Sequence, residues 1–132
     1  MAVASGDELD LIRVLWLEAR VAAGLGRRAA AIAALRQVRR DFEVRGLAYD
    51  MALASLDLAA LLLEDGQTGE VKALVEKMVA TFRARGIARE ALAALLLFRQ
   101  AAEDETMTLT LVHRLARYLE QARHDSSLRF ET

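Results

Sequence analysis

Residues Phe42–Asp50 read FEVRGLAYD, and Phe82–Glu90 read FRARGIARE. Both spell Phe-x-x-Arg-Gly-(Leu/Ile)-Ala and close on an acid, and Gly86 follows Gly46 by 40 residues. Glycine enters the left-handed region without the steric penalty other residues meet, so it is the usual residue just beyond a helix end. With Gly46 in that place, Arg45 is the C-cap beside carbonyls of partial negative charge. Phe42 is then the third residue from the end and Leu47 the second beyond it, the pair that makes the hydrophobic contact of a Schellman stop. Phe82, Arg85, Gly86 and Ile87 repeat the pattern. The phrase predicts a joint between helices.

Outward from the joint, the 40-residue step aligns Gly6 with Gly46 and Gly86, Gly26 with Gly66, and Asp10 with Asp50 and Glu90. It also aligns Leu35 with Val75 and Leu115, Val38 with Met78 and Tyr118, and Leu11 with Met51 and Ala91. Aligned glycines and acids, more than aligned aliphatics in a chain rich in Leu and Ala, indicate a true repeat. Proline is absent, and β-branched and aromatic residues are sparse, which favours helix throughout.

Six helices are predicted, near 7–23, 27–45, 48–64, 68–85, 88–103 and 107–123. Ser5 and Glu8 have capping-box spacing. Val71, Leu74, Val75, Met78, Val79 and Phe82 form one amphipathic stripe. The third and fifth segments are apolar nearly all round and are expected to be covered on more than one side. The fold expected is all-α: a right-handed α-solenoid of three antiparallel helical hairpins, with units 6–45, 46–85 and 86–125 and a tail 126–132. It forms a single domain of 132 residues, long enough to bury roughly two-thirds of its unfolded surface.

Composition narrows the function. A net charge of −1 gives no global pull toward nucleic acid or anionic membrane. Without cysteine there is no disulfide, thiolate metal site or cysteine nucleophile, which fits a cytoplasmic protein. The opening MAVASGDELD is not built as a secretory signal. The apolar run Ala91–Phe98 falls far short of the roughly 20 residues of a membrane span. His113 and His124 have no carboxylates at metal-ligand spacing, and no phosphate loop, nucleophile elbow or carboxylate pair is present. No enzymatic activity, cofactor or metal is expected.

The chain resembles the tetratricopeptide-repeat family. Ala19 and Ala59 match its small residue midway along the first helix, and Gly26 and Gly66 match its turn. Ala31 with Leu35, and Val71 with Val75, match the second helix. The unit here exceeds the family's usual length of about 34 residues, and Gly46 and Gly86 stand where a proline often closes it. The stretch GLAYDMALASLDLAALLLEDGQ (46–67) is also similar to the C-terminal repeats of bacterial tetratricopeptide proteins fused to regulatory domains.

That resemblance implies a protein-binding scaffold whose first helices line a concave groove. Arg13, Trp16 and Arg20 would come from the first unit, Leu53, Leu56 and Ala60 from the second, and Ala93, Leu96 and Gln100 from the third. Such a groove would accept an extended segment or amphipathic helix of a protein partner, although Trp16 also reads as ordinary inter-helix core. The basic helix Arg27–Arg45, with Arg27, Arg28, Arg36, Arg39 and Arg40 and then Arg45, could track phosphates, a less favoured nucleic-acid-binding alternative. Asp41 and Glu43 interrupt its charge and no aromatics interleave, so a solvated outer face is expected. Leu128 and Phe130 in the tail are expected to dock, on the sixth helix or on another chain. The first helix is too apolar for an end cap of a solenoid. This suggests further repeats or a regulatory domain before Met1, or closure of that face by a homodimer. The expected function is therefore a protein-interaction scaffold, with a homodimerisation or effector-sensing module of a transcriptional regulator as the alternative.

Overall fold

The computed structural model describes the backbone of residues 5–130 and the side chains of residues 8–130. Six helices account for nearly all of it: α1 (Ser5–Gly24), α2 (Arg28–Val44), α3 (Ala48–Glu64), α4 (Thr68–Ala84), α5 (Arg89–Glu103) and α6 (Leu109–Ala122). No strand occurs among the described residues. The capping box suggested at Ser5 involves a side chain outside the described residues.

The first five helices stop in the same way. Gly46 has φ +70° and Gly86 has φ +64°. Leu47 N donates to Phe42 O at 3.0 Å and Gly46 N to Glu43 O at 3.0 Å, while Ile87 N donates to Phe82 O at 3.1 Å. These are the paired bonds of a Schellman stop. Gly26 and Gly66 make the same turn, and Glu105 makes it at φ 55° without the freedom of glycine. What sets Gly46 and Gly86 apart is the apolar contact. Phe42 and Phe82 are fully buried, and Leu47 and Ile87 pack against the same core.

The 40-residue step is carried most faithfully by α2, α4 and α6. Leu35, Val75 and Leu115 are buried, as are Val38, Met78 and Tyr118. Consecutive helices pack on one another, with rings bridging them: Trp16 meets Phe42 edge-on at 5.3 Å, and Tyr49 meets Phe82 at 5.2 Å. The exception is α6. It packs more extensively against α3 than against α5.

This departs from three equivalent units. Helix α3 is enclosed by α1, α2, α4 and α6, as its all-round apolarity requires. Helix α5, expected to be enclosed as well, has α4 and α6 as its main neighbours and leaves Leu97 52% exposed. The tail partly closes the gap. Tyr118 Oη donates to Leu128 O at 2.8 Å, and Phe130 meets the Tyr118 ring edge-on at 5.4 Å.

Candidate interaction surfaces

The residues expected to line a groove are divided between the interior and the surface. Trp16 is 9% exposed, and Leu53 and Leu56 are buried. Trp16 Nε1 donates to Asp57 Oδ2 at 2.7 Å, Arg20 Nε donates to the same oxygen at 2.8 Å, and the Arg20 guanidinium stacks 4.5 Å above the indole. The indole is thus satisfied within the helix stack. Arg13 is exposed and lies 4.0 Å from Asp50. Leu96 is half-buried; Ala93 and Gln100 are exposed, the latter bonded to Asp104 at 3.0 Å.

The expected basic face is mostly neutralised. Arg28 binds Asp65 at 2.8 Å, and Arg36 binds Glu70 through two bonds of 2.8 and 2.6 Å. That fork holds the Glu70 carboxyl below its ordinary pKa and raises that of Arg36. Arg39 corrects the reading of a solvated face: it is 4% exposed, pairs with Glu43, and leaves Nε without a partner. The signal was available, because stepping by 40 from Arg39 reaches Val79 and Leu119, both buried. Within this run, Arg27 and Arg40 are exposed and have no ion pair among the described residues. Phosphates would therefore have to displace existing carboxylates along most of this helix.

Two surfaces remain. The first lies beside the tail, where Arg89, Glu90, Leu97, Arg129 and Phe130 enclose an open groove of about 350 Å³. Arg117 stands on the other side of Phe130. Neither Arg89, Arg117 nor Arg129 has an acidic partner among the described residues, a basic cluster that the sequence reading missed because it joins α5, α6 and the tail.

The second surface is the outer face of α1. Leu11, Val14, Leu15, Leu17 and Val21 on this helix, with Leu25 just beyond its end, are 40–67% exposed. Their meaning comes from the repeat. Helix α5, whose main neighbour is α4, buries Ala91, Ala94, Leu95 and Phe98. The equivalent α3 positions, Met51, Ala54, Ser55 and Leu58, are also buried. On α1 the same positions are Leu11, Val14, Leu15 and Glu18, and all four are exposed. So α1 leaves in water a set of positions that both α3 and α5 bury.

His113 and His124 are both exposed, and the described residues contain no group of three metal-ligating side chains. Among them, too, no helix is long and apolar enough to cross a membrane. Comparison with family models, with curated proteins and with solved structures finds no match to this chain.

Proposed function

We propose that this chain is a tetratricopeptide-like interaction domain, a right-handed α-solenoid of three antiparallel hairpins, that presents the outer face of α1 to another polypeptide and performs no catalysis. The observation that carries this reading is the set of exposed aliphatic side chains on α1. They form a patch on the order of 500 Å², at the upper end of what a monomer leaves in water and typical of a binding surface. The fit of α2, α4 and α6 to one 40-residue register supports the repeat reading. The setting proposed is a cytoplasmic bacterial regulatory protein, on the resemblance of residues 46–67 and the absence of cysteine.

A second reading, closure of α1 by another copy, is favoured by the same patch. Two such faces together approach the roughly 1,000 Å² at which specific association becomes stable. Light scattering on the native chain and on Val14→Asp, combined with partner capture, tests both. Self-association or capture that the substitution abolishes supports an α1 interface. A strict monomer whose captured partners are indifferent to Val14→Asp overturns it.

A further inference from the structure

Because α6 packs more extensively on α3 than on α5, one face of α5 stays in water. Arg89, Ala93 and Leu97 stand on it at i, i+4 and i+8, and all three are exposed. With Arg129 and Phe130 of the tail they border the open groove of about 350 Å³. A second open groove, of about 240 Å³, lies on the other side of Phe130 and is lined by Arg117, Gln121 and the same Arg129.

The charge of this site is unlike that of the rest of the surface. Arg20, Arg28, Arg36, Arg45, Arg99 and Arg123 each hold a carboxylate of this chain. Arg89, Arg117 and Arg129 hold none among the described residues, although three different elements bring them to one ring. Arg114 is engaged differently, over the Phe130 ring at 5.7 Å. Glu90 is the acid that lines the first groove, and it forms no ion pair with the three arginines. Its charge bears instead on Tyr118, whose hydroxyl pKa is raised first by burial and then by Tyr49 and Glu90. Three arginines against one carboxylate leave the site cationic, and anionic groups brought between them would relieve their mutual repulsion.

Shape sets the other terms. From Arg89 to Leu97 the groove follows α5 for about 12 Å, the reach of about four residues of extended chain. An open groove covers a bound chain on one side, unlike the enclosing pockets that hold small molecules. Ala93, Leu97 and Phe130 offer apolar surface for one hydrophobic side chain, and the arginines stand where carboxylates on either side of it would fall. We infer that this groove binds a short, extended acidic segment of another protein, in which one aliphatic or aromatic residue is bracketed by Asp or Glu. A second copy of this chain offers no such segment among its described residues. Its non-helical stretches are tight turns and the docked tail, and the acidic turn Asp104–Met107 is closed by its own hydrogen bonds. The site is distinct from the α1 face and goes beyond the reading given above.

The probe is a fluorescein-labelled peptide, Gly-Asp-Asp-Leu-Asp-Asp-Gly, titrated into the intact chain by anisotropy at low salt. Saturable binding with a Kd on the order of 100 µM is expected, weakening as salt is added. Arg89→Glu and Arg129→Glu should each weaken it about tenfold, and a peptide with Ser in place of Leu should bind about fivefold more weakly. Val14→Asp on α1 should leave it unchanged. All three substituted positions are exposed, and circular dichroism checks that the variants fold. Absence of saturable binding below about 1 mM, or binding indifferent to both arginine substitutions, overturns the inference. So does equal binding of the Ser peptide, because charge alone is then recognised. Weakening by Val14→Asp as large as that by Arg89→Glu places the peptide on α1 and overturns it too. Displacement by hexanoate at the peptide's own Kd would make a small acid the occupant, and self-association abolished by Arg89→Glu would make it a second copy; either result overturns the assignment to another protein.

Discussion

Arg123 Nη2 donates to Asp50 Oδ1 at 2.9 Å, a bond that ties the end of α6 to the start of α3 across 73 residues of chain. Asp50 is nearly buried, its side chain 8% exposed, and its other cation, Arg13, is 4.0 Å away. Removing Arg123 would leave a buried carboxylate with one distant partner. Arg123→Ala should cost about 2–3 kcal/mol in urea unfolding, below the range for a fully buried pair because Arg123 is 27% exposed. Asp50→Asn should recover part of that loss in the Arg123→Ala background. Full additivity of the two would mean that the bond is not formed.

The stops at the helix ends differ in strain. Glu105 occupies the left-handed region where the four other joints place glycine, and a side chain there costs roughly 1–2 kcal/mol. Glu105→Gly should stabilise the fold by about 1 kcal/mol, after allowance for the freedom glycine gives the unfolded chain. A lower Tm would count against this account of the turn.

At Gly46 the surroundings add a test. A Cβ built there would lie 2.7 Å from Arg85 Nη1, whereas Gly66 has open space around the same position. Gly66→Ala should lose about 1 kcal/mol from left-handed strain alone. Gly46→Ala should lose somewhat more, and Arg85→Ala should abolish the difference. Equal losses in both backgrounds would show that Arg85 yields freely.

Phe42 links two functions of the core. It closes the α2 stop and meets the Trp16 ring at 5.3 Å. Phe42→Ala should destabilise by about 3–5 kcal/mol, and Trp16 emission should shift to the red as water reaches the indole. An unshifted spectrum would mean that the cavity collapses around Trp16.

The Arg36–Glu70 fork gives a pH dependence of known sign. The pairing lowers the Glu70 pKa in the folded chain, so its stabilisation is complete above the unfolded carboxyl pKa and fades as pH falls through the folded one. Arg36 is 46% exposed and Glu70 32%, which limits the effect to at most about 1 kcal/mol. Glu70→Gln should therefore narrow the stability gap between neutral and acidic pH by that amount, read from paired urea titrations.

The sequence carried the local structure well because its punctuation is physical. Glycines at 26, 46, 66 and 86 sit where the chain turns left-handed, and the helix ends lie within two residues of those predicted. What lay beyond reach was the return of α6 to α3. It depends on Arg123 meeting Asp50 and on a tail docked through Tyr118, contacts outside the 40-residue register. Its consequences were hidden with it: the exposed Leu97 and the gathering of Arg89, Arg117 and Arg129 around Phe130. The burial of Trp16 is a different matter. Position 16 steps by 40 onto Leu56, and both are interior, so the register held that answer where the resemblance suggested a groove.

The Arg123–Asp50 tie also gives the array a direction. A further hairpin laid after α6 would not meet it in register, because α6 has already turned inward onto α3 and the tail is docked on Tyr118. At the other end, α1 presents the same register that receives a neighbour elsewhere in the chain. Elongation of such a structure is therefore vectorial, possible by addition in front of α1 and blocked behind α6. A designer wishing to lengthen or fuse this domain should build from α1 and leave the far end untouched.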